Sequence, residues 1–130
     1  MKFLLLIHNN PEALDGLSPE KRLDLIGGRD VLLDQVRALR ENGELLTILA
    51  LAPPSETKSV KVTAGTPVIS DRPFLETKEF LAGALMVECA SMDRALEIAA
   101  GIPFAALLPI EVRPVRELDD QALAELSRER

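Results

Sequence analysis

Residues 3–7 read Phe-Leu-Leu-Leu-Ile, apolar at odd and even positions alike. Successive side chains of a strand point to opposite faces, so this run is apolar on both. A strand of that kind sits centrally in a sheet and is covered on each side. Residues 45–52 repeat the pattern, apolar at nearly every position, before Pro53-Pro54 ends the segment. Helices of the same chain can cover one face. The other needs a different cover, and a second copy of the chain is the obvious candidate, because large apolar patches are rare on monomers.

The segments between these strands follow in order. Strand 2–8 stops at Asn9-Asn10-Pro11. Ser18-Pro19-Glu20 then opens a helix, with Ser as N-cap, Pro at the first helical position and an acidic side chain at the positive end of the dipole. Leu25, Leu32, Val36 and Leu39 recur at helical spacing, and Gly43 ends the helix. Gly27-Gly28 inside it predicts a kink or break, since each glycine costs about 1 kcal/mol relative to alanine. Ser59–Thr63 alternates and is followed by a Gly-bearing turn and residues 67–70, which predicts a hairpin toward the edge of the sheet with one face open to water. Residues 83–89 form a further strand. Ser91 caps a helix with Ala95, Ile98, Ala99 and Ile102 as its buried stripe, stopped at Gly101-Ile102-Pro103. Residues 107–115 form the last strand, and an amphipathic tail helix occupies 119–130. Two β-α-β units with an inserted hairpin predict an α+β, ferredoxin-like arrangement in a single domain, 1–130.

Composition narrows the function. A formal charge of −6 and a pI near 4.8 leave no concentrated basic patch, which excludes a nucleic-acid surface or an anionic membrane as partner. No stretch approaches the ~20 apolar residues of a membrane span. Cys89 is the single cysteine, so no internal disulfide forms; with no signal-type leader the chain is expected in the cytoplasm. One His and one Cys far apart offer no metal-ligand spacing, and no glycine-rich phosphate loop is present, so no metal or cofactor is expected. Cys89 has no evident activating base and reads as a core thiol.

The most distinctive stretch is Asp71-Arg72-Pro73-Phe74-Leu75-Glu76-Thr77-Lys78-Glu79, which surrounds a Pro-Phe pair with charged side chains. A mere connector would be small and polar. The stretch resembles the Asp-Gly-Pro-Phe-x-Glu-Thr-Lys-Glu signature of the YCII-related (DGPF-domain) family, with Arg72 in place of the glycine. The resemblance implies the ferredoxin-like fold and its pairing into a dimeric α/β barrel. Related folds run cofactor-free lyase, dehalogenation or oxygenation chemistry, and DGPF-type relatives often occur beside extracytoplasmic-function sigma factors. The resemblance therefore implies a small organic ligand, a lyase- or dehalogenase-like enzyme, or a non-catalytic regulatory module. A His-Asp pair is associated with better-known relatives, its histidine in the first helix; here Gly28, Arg29 and Asp30 occupy that region, and the pair is not carried over.

Two residues are candidate catalysts. His8, the single histidine, stands at a strand exit, a common place for a general base; a plain loop histidine is the competing reading. Asp71 would orient a polar ligand, or cap a turn. For ligand binding the candidates are Arg72, Phe74, Glu76, Lys78 and Glu79. A guanidinium at Arg72 recruits an anion, Lys78 between carboxylates suits electrostatic positioning, and Phe74 is an apolar anchor or a core plug. Glu88, Glu111 and Arg113, charged on otherwise apolar strands, suggest a cross-strand Glu88–Arg113 or Glu111–Arg pair.

Overall fold

The computed structural model of the chain describes residues 1–25, 27–28, 30–73 and 78–129. Strand β1 (Lys2–Asn9) is followed by α1 (Pro11–Leu14), α2 (Pro19–Leu25) and α3 (Val31–Glu41), then by β2 (Leu45–Ala50). A hairpin, β3 (Ser59–Thr63) and β4 (Thr66–Ser70), precedes β5 (Phe80–Glu88), α4 (Met92–Gly101), β6 (Ile110–Pro114) and α5 (Asp120–Glu129). The main sheet has the order β2-β5-β1-β6 with every neighbouring pair antiparallel. The chain is thus α+β, with β1 and β5 at the centre of the sheet.

Local chemistry accounts for the helix ends. The Ser18 hydroxyl accepts from the Lys21 amide at 3.2 Å, the Ser91 hydroxyl from the Arg94 amide at 3.1 Å, and the Asp119 carboxylate from the Ala122 amide at 2.7 Å. Gly27 and Gly28 adopt φ of 82° and 106°, so the expected break separates α2 from α3. Gly43, at φ 79°, closes α3 while the Glu44 amide reaches back to the Leu39 carbonyl.

Alternation along β1 puts Phe3 and Leu5, both wholly buried, against the helices beside Leu85 and Val87 of β5. Leu39 of α3 and Ala95, Ile98 and Ala99 of α4 complete this core. Leu4, Leu6 and Met86 face the other way and stay half-buried. Edge strand β2 leaves Leu46 and Leu49 exposed.

Three expectations need correction. Among the described residues the hairpin does not extend the main sheet; β3 and β4 pair only with each other. Both of its faces are open, with Val60, Val62, Val68 and Ile69 all more than half exposed. The last strand starts at Ile110 rather than 107, because the amides of Leu107 and Leu108 still bond back to the Phe104 carbonyl, continuing the turn that begins at Pro103. Glu88 and Arg113 cannot pair, since β1 lies between their strands and they stand opposite Lys2 and Leu4 respectively.

Candidate functional site

β1 and β5 lose register between Ile7 and His8: Ile7 faces Gly83, His8 faces Leu81, and Ala82 is the extra residue. Such bulges re-aim side chains at the end of a strand. Here the extra residue lies on β5, and His8 and Asn9 of β1 both line a partly open cavity of about 660 Å³ between the sheet and the α1–α3 segment. Its floor is Ile7, Ile48, Gly83 and Leu85; Leu14 and Leu32 come from α1 and α3, and Phe104, Leu107 and Leu108 close the side. Gly83 is required there by space. A Cβ at this position would lie 2.6 Å from the Leu49 carbonyl oxygen of the neighbouring strand.

The lining is apolar except at three side chains, His8, Asn9 and Arg22. Arg22, on α2, donates from a terminal guanidinium nitrogen to the Leu14 carbonyl at 2.7 Å and so ties α1 to α2 across the cavity. Its Nε is buried and has no hydrogen-bond partner among the described residues, and the same holds for Asn9 Oδ1. Both atoms are shielded from solvent, so Asn9 and Arg22 line the cavity through their other atoms. His8 is 26% exposed, with Nε2 3.7 Å from Oε1 of Glu111 on β6. Glu111 thus faces the histidine rather than an arginine. An apolar cavity with a few polar groups in its lining is the ordinary form of a small-molecule site.

The signature stretch lies elsewhere. The Asp71 carboxylate is 85% exposed and pairs with Lys58 Nζ at 3.1 Å. The Arg72 carbonyl accepts from the Ser59 hydroxyl at 2.6 Å, fixing the stretch to the base of the hairpin. Lys78 Nζ reaches Glu12 of α1 at 3.1 Å, with both side chains mostly exposed. Glu79 is exposed on the approach to β5. Phe74 and Glu76 lie outside the described residues. Pro73 lines a second, smaller groove of about 400 Å³ with Leu51, Ala52, Pro54, Phe80 and Leu81. Asp71 and Lys78 are therefore not brought beside His8: Asp71 pairs with Lys58 before the hairpin, and Lys78 with Glu12 of α1.

Asn9 and Arg22 were not singled out from the sequence. Arg22 sits among charged residues at the start of a helix and looks solvated, while Asn9 reads as part of a strand stop. Only the strand bulge and the fold-back of α1 bring them together. Among the described residues no three His, Cys, Asp or Glu side chains form a group able to hold a metal ion, and no helix is long and apolar enough to cross a membrane.

The YCII-related domain matches residues 1–119 of this chain. An uncharacterised protein of Rhizobium meliloti (strain 1021) is 32% identical over 117 residues, a span covering 88% of this chain and 92% of that protein. Among solved structures, similarity is found to the 5-chloro-2-hydroxyhydroquinone dehydrochlorinase of Burkholderia phenoliruptrix AC1100 in complex with 2,5-dihydroxybenzoquinone. The match covers 91% of this chain and 96% of that one, at 17% identity and a TM-score of 0.48.

Proposed function

The chain belongs to the YCII-related family, and on that premise we propose that it binds a small organic ligand in the cavity between the sheet and α1–α3. The observation that carries this reading is the cavity itself, whose lining is apolar apart from His8, Asn9 and Arg22. His8, beside Glu111 and in the same lining, is the side chain placed to take a proton from a bound ligand, which is the form a cofactor-free lyase-like reaction would take here. Lys78 of the signature would act on the cavity through α1, by way of the Lys78–Glu12 pair.

A second reading puts the ligand at the signature itself. The groove beside Pro73 supports it, with Asp71, Arg72 and Glu79 near its mouth in sequence and Phe74 and Glu76 in the intervening stretch. A thermal-shift screen of small organic acids separates the two, since a ligand that binds only the folded state raises its stability. Wild type, His8→Ala, Ala82→Phe and Asp71→Ala are compared. Cavity binding requires the shift to vanish or fall in Ala82→Phe, which puts a bulky ring at a lining position, and to survive in Asp71→Ala. The reverse pattern places the ligand at the signature. No shift with any acid, in any variant, removes the small-molecule reading and leaves the regulatory, protein-contacting alternative.

The strand order and the apolar face bearing Leu4, Leu6 and Met86 support a ferredoxin-like unit that pairs with a second copy into a dimeric barrel in the cytoplasm. Light scattering on wild type and Leu6→Lys tests the pairing. A wild type of single-chain mass removes it.

A further inference from the structure

The helices around the sheet are not held alike. α3 and α4 bury Val36, Leu39, Ala95, Ile98 and Ala99. The segment 11–25, which carries α1 and α2, has no fully buried residue among those described. Its hydrogen bonds stay local. The Leu14 and Asp15 amides donate to the Asn10 and Pro11 carbonyls, Lys21 and Arg22 amides to Ser18, and the Arg22 side chain to the Leu14 carbonyl. Among the described residues, the side-chain link from this segment to a distant part of the chain is the Glu12–Lys78 ion pair, 3.1 Å long and exposed on both sides. A segment bonded to itself, with little buried apolar contact, opens at a much smaller cost than global unfolding.

The same segment walls the cavity, since Leu14 and Arg22 belong to the lining while Ile7, Ile48 and Gly83 come from the sheet. The bond from Arg22 to the Leu14 carbonyl lashes α1 to α2, so the two move as one body. One end of that body is the exit of β1 at Asn9, and the other is Gly27-Gly28, at φ 82° and 106°. Nothing lies within 4 Å of where a Cβ on Gly28 would stand, so the backbone turns there without meeting a neighbour. Resting on the cavity reading above, we infer that residues 11–25 are a lid that swings off the cavity to admit the ligand, latched by Lys78 through Glu12. Lys78 thus sets how often the cavity opens without meeting the ligand. An exposed ion pair shifts such an equilibrium by up to about fivefold, and salt screens it.

Two measurements test the lid, the first without any ligand. Ala82→Cys places a thiol in the lining, and buried Cys89 serves as the control for opening of the core. Labelling of the new thiol by a soluble disulfide reagent should quicken by up to about fivefold when Lys78→Ala is added. The charge swap Glu12→Lys with Lys78→Glu should restore the original rate, and Cys89 should react alike in all three backgrounds. The second measurement is stopped-flow binding of N-phenyl-1-naphthylamine, a neutral apolar dye. Its association and dissociation rates should rise together in Lys78→Ala, because an opening lid gates entry and exit alike. High salt should raise both in wild type and neither in Lys78→Ala. Labelling that Lys78→Ala leaves unaltered, or that quickens equally at Cys89, overturns the lid. Dye rates indifferent to Lys78 also overturn it, and the cavity site stands if Ala82→Phe weakens the dye. Dye binding that Ala82→Phe leaves untouched overturns the cavity reading itself, and the lid with it.

Discussion

The guanidinium of Arg94 grips the carboxylate of Glu44 through two hydrogen bonds, Nε to Oε2 at 2.9 Å and a terminal nitrogen to Oε1 at 2.6 Å. This fork joins the first turn of α4 to the residue just before β2, 50 positions away in the chain. The Arg94 hydrogen bond holds the Glu44 carboxyl below its ordinary value of 4.5, against a smaller opposing effect of burial. Because the folded value is lowered, the linkage contributes stability above pH 4.5 and loses it as pH falls through the lowered value. Melting temperature followed from pH 7 to pH 3 should show Glu44→Gln less stable than wild type at neutral pH, with the gap closing in acid. A gap that stays constant across the range would contradict this assignment.

Gly83 and the Leu49 carbonyl leave no room for a methyl group, as the 2.6 Å approach is to backbone rather than to a flexible side chain. Gly83→Ala should destabilise the protein by about 1–3 kcal/mol, the usual cost of overpacking. Urea denaturation measures it. The bulge beside Gly83 also sets where His8 and Asn9 point, so the same variant should weaken ligand binding beyond what its stability loss explains.

The signature ion pair is a surface one. Asp71 and Lys58 are both more than two-thirds exposed, so Asp71→Ala should cost no more than about 1 kcal/mol. Leu85→Ala, at a wholly buried position in β5, should cost about 2–5 kcal/mol. Equal losses in a denaturant titration would make Asp71 a clamp of the fold instead.

At the hairpin tip both turn residues are left-handed, Ala64 at φ 50° and Gly65 at φ 78°. A two-residue turn of this hand favours Asn-Gly, and alanine there is strained by about 1 kcal/mol. Ala64→Asn should slow amide hydrogen exchange within β3 and β4 while the melting temperature of the whole chain barely moves. Faster exchange in the hairpin would refute the turn assignment.

Much of the architecture was legible in the residues because it is locally encoded. The both-faces apolar run at 3–7, the serine caps at 18 and 91 and the glycine pair at 27–28 act within a few positions of themselves, and each appears in the structure where its chemistry puts it. What a segment pairs with is not local. Val60 and Ile69 alternate as an edge strand of the main sheet would, yet the hairpin pairs only with itself. His8 was visible as a lone titratable group at a strand exit. Its neighbours Asn9 and Arg22 were not, since a buried orphan is defined by what surrounds it, and those surroundings come from α1, α3 and the residues after α4.

The self-contained hairpin has a practical consequence for protein engineering. Its tip, Ala64-Gly65, is exposed, and its pairing ladder is separate from the strands that carry the core. A peptide tag or fluorescent reporter spliced between those two residues would ride on an arm whose length the rest of the chain does not measure, making this loop the natural port for immobilising or labelling the protein without touching the cavity.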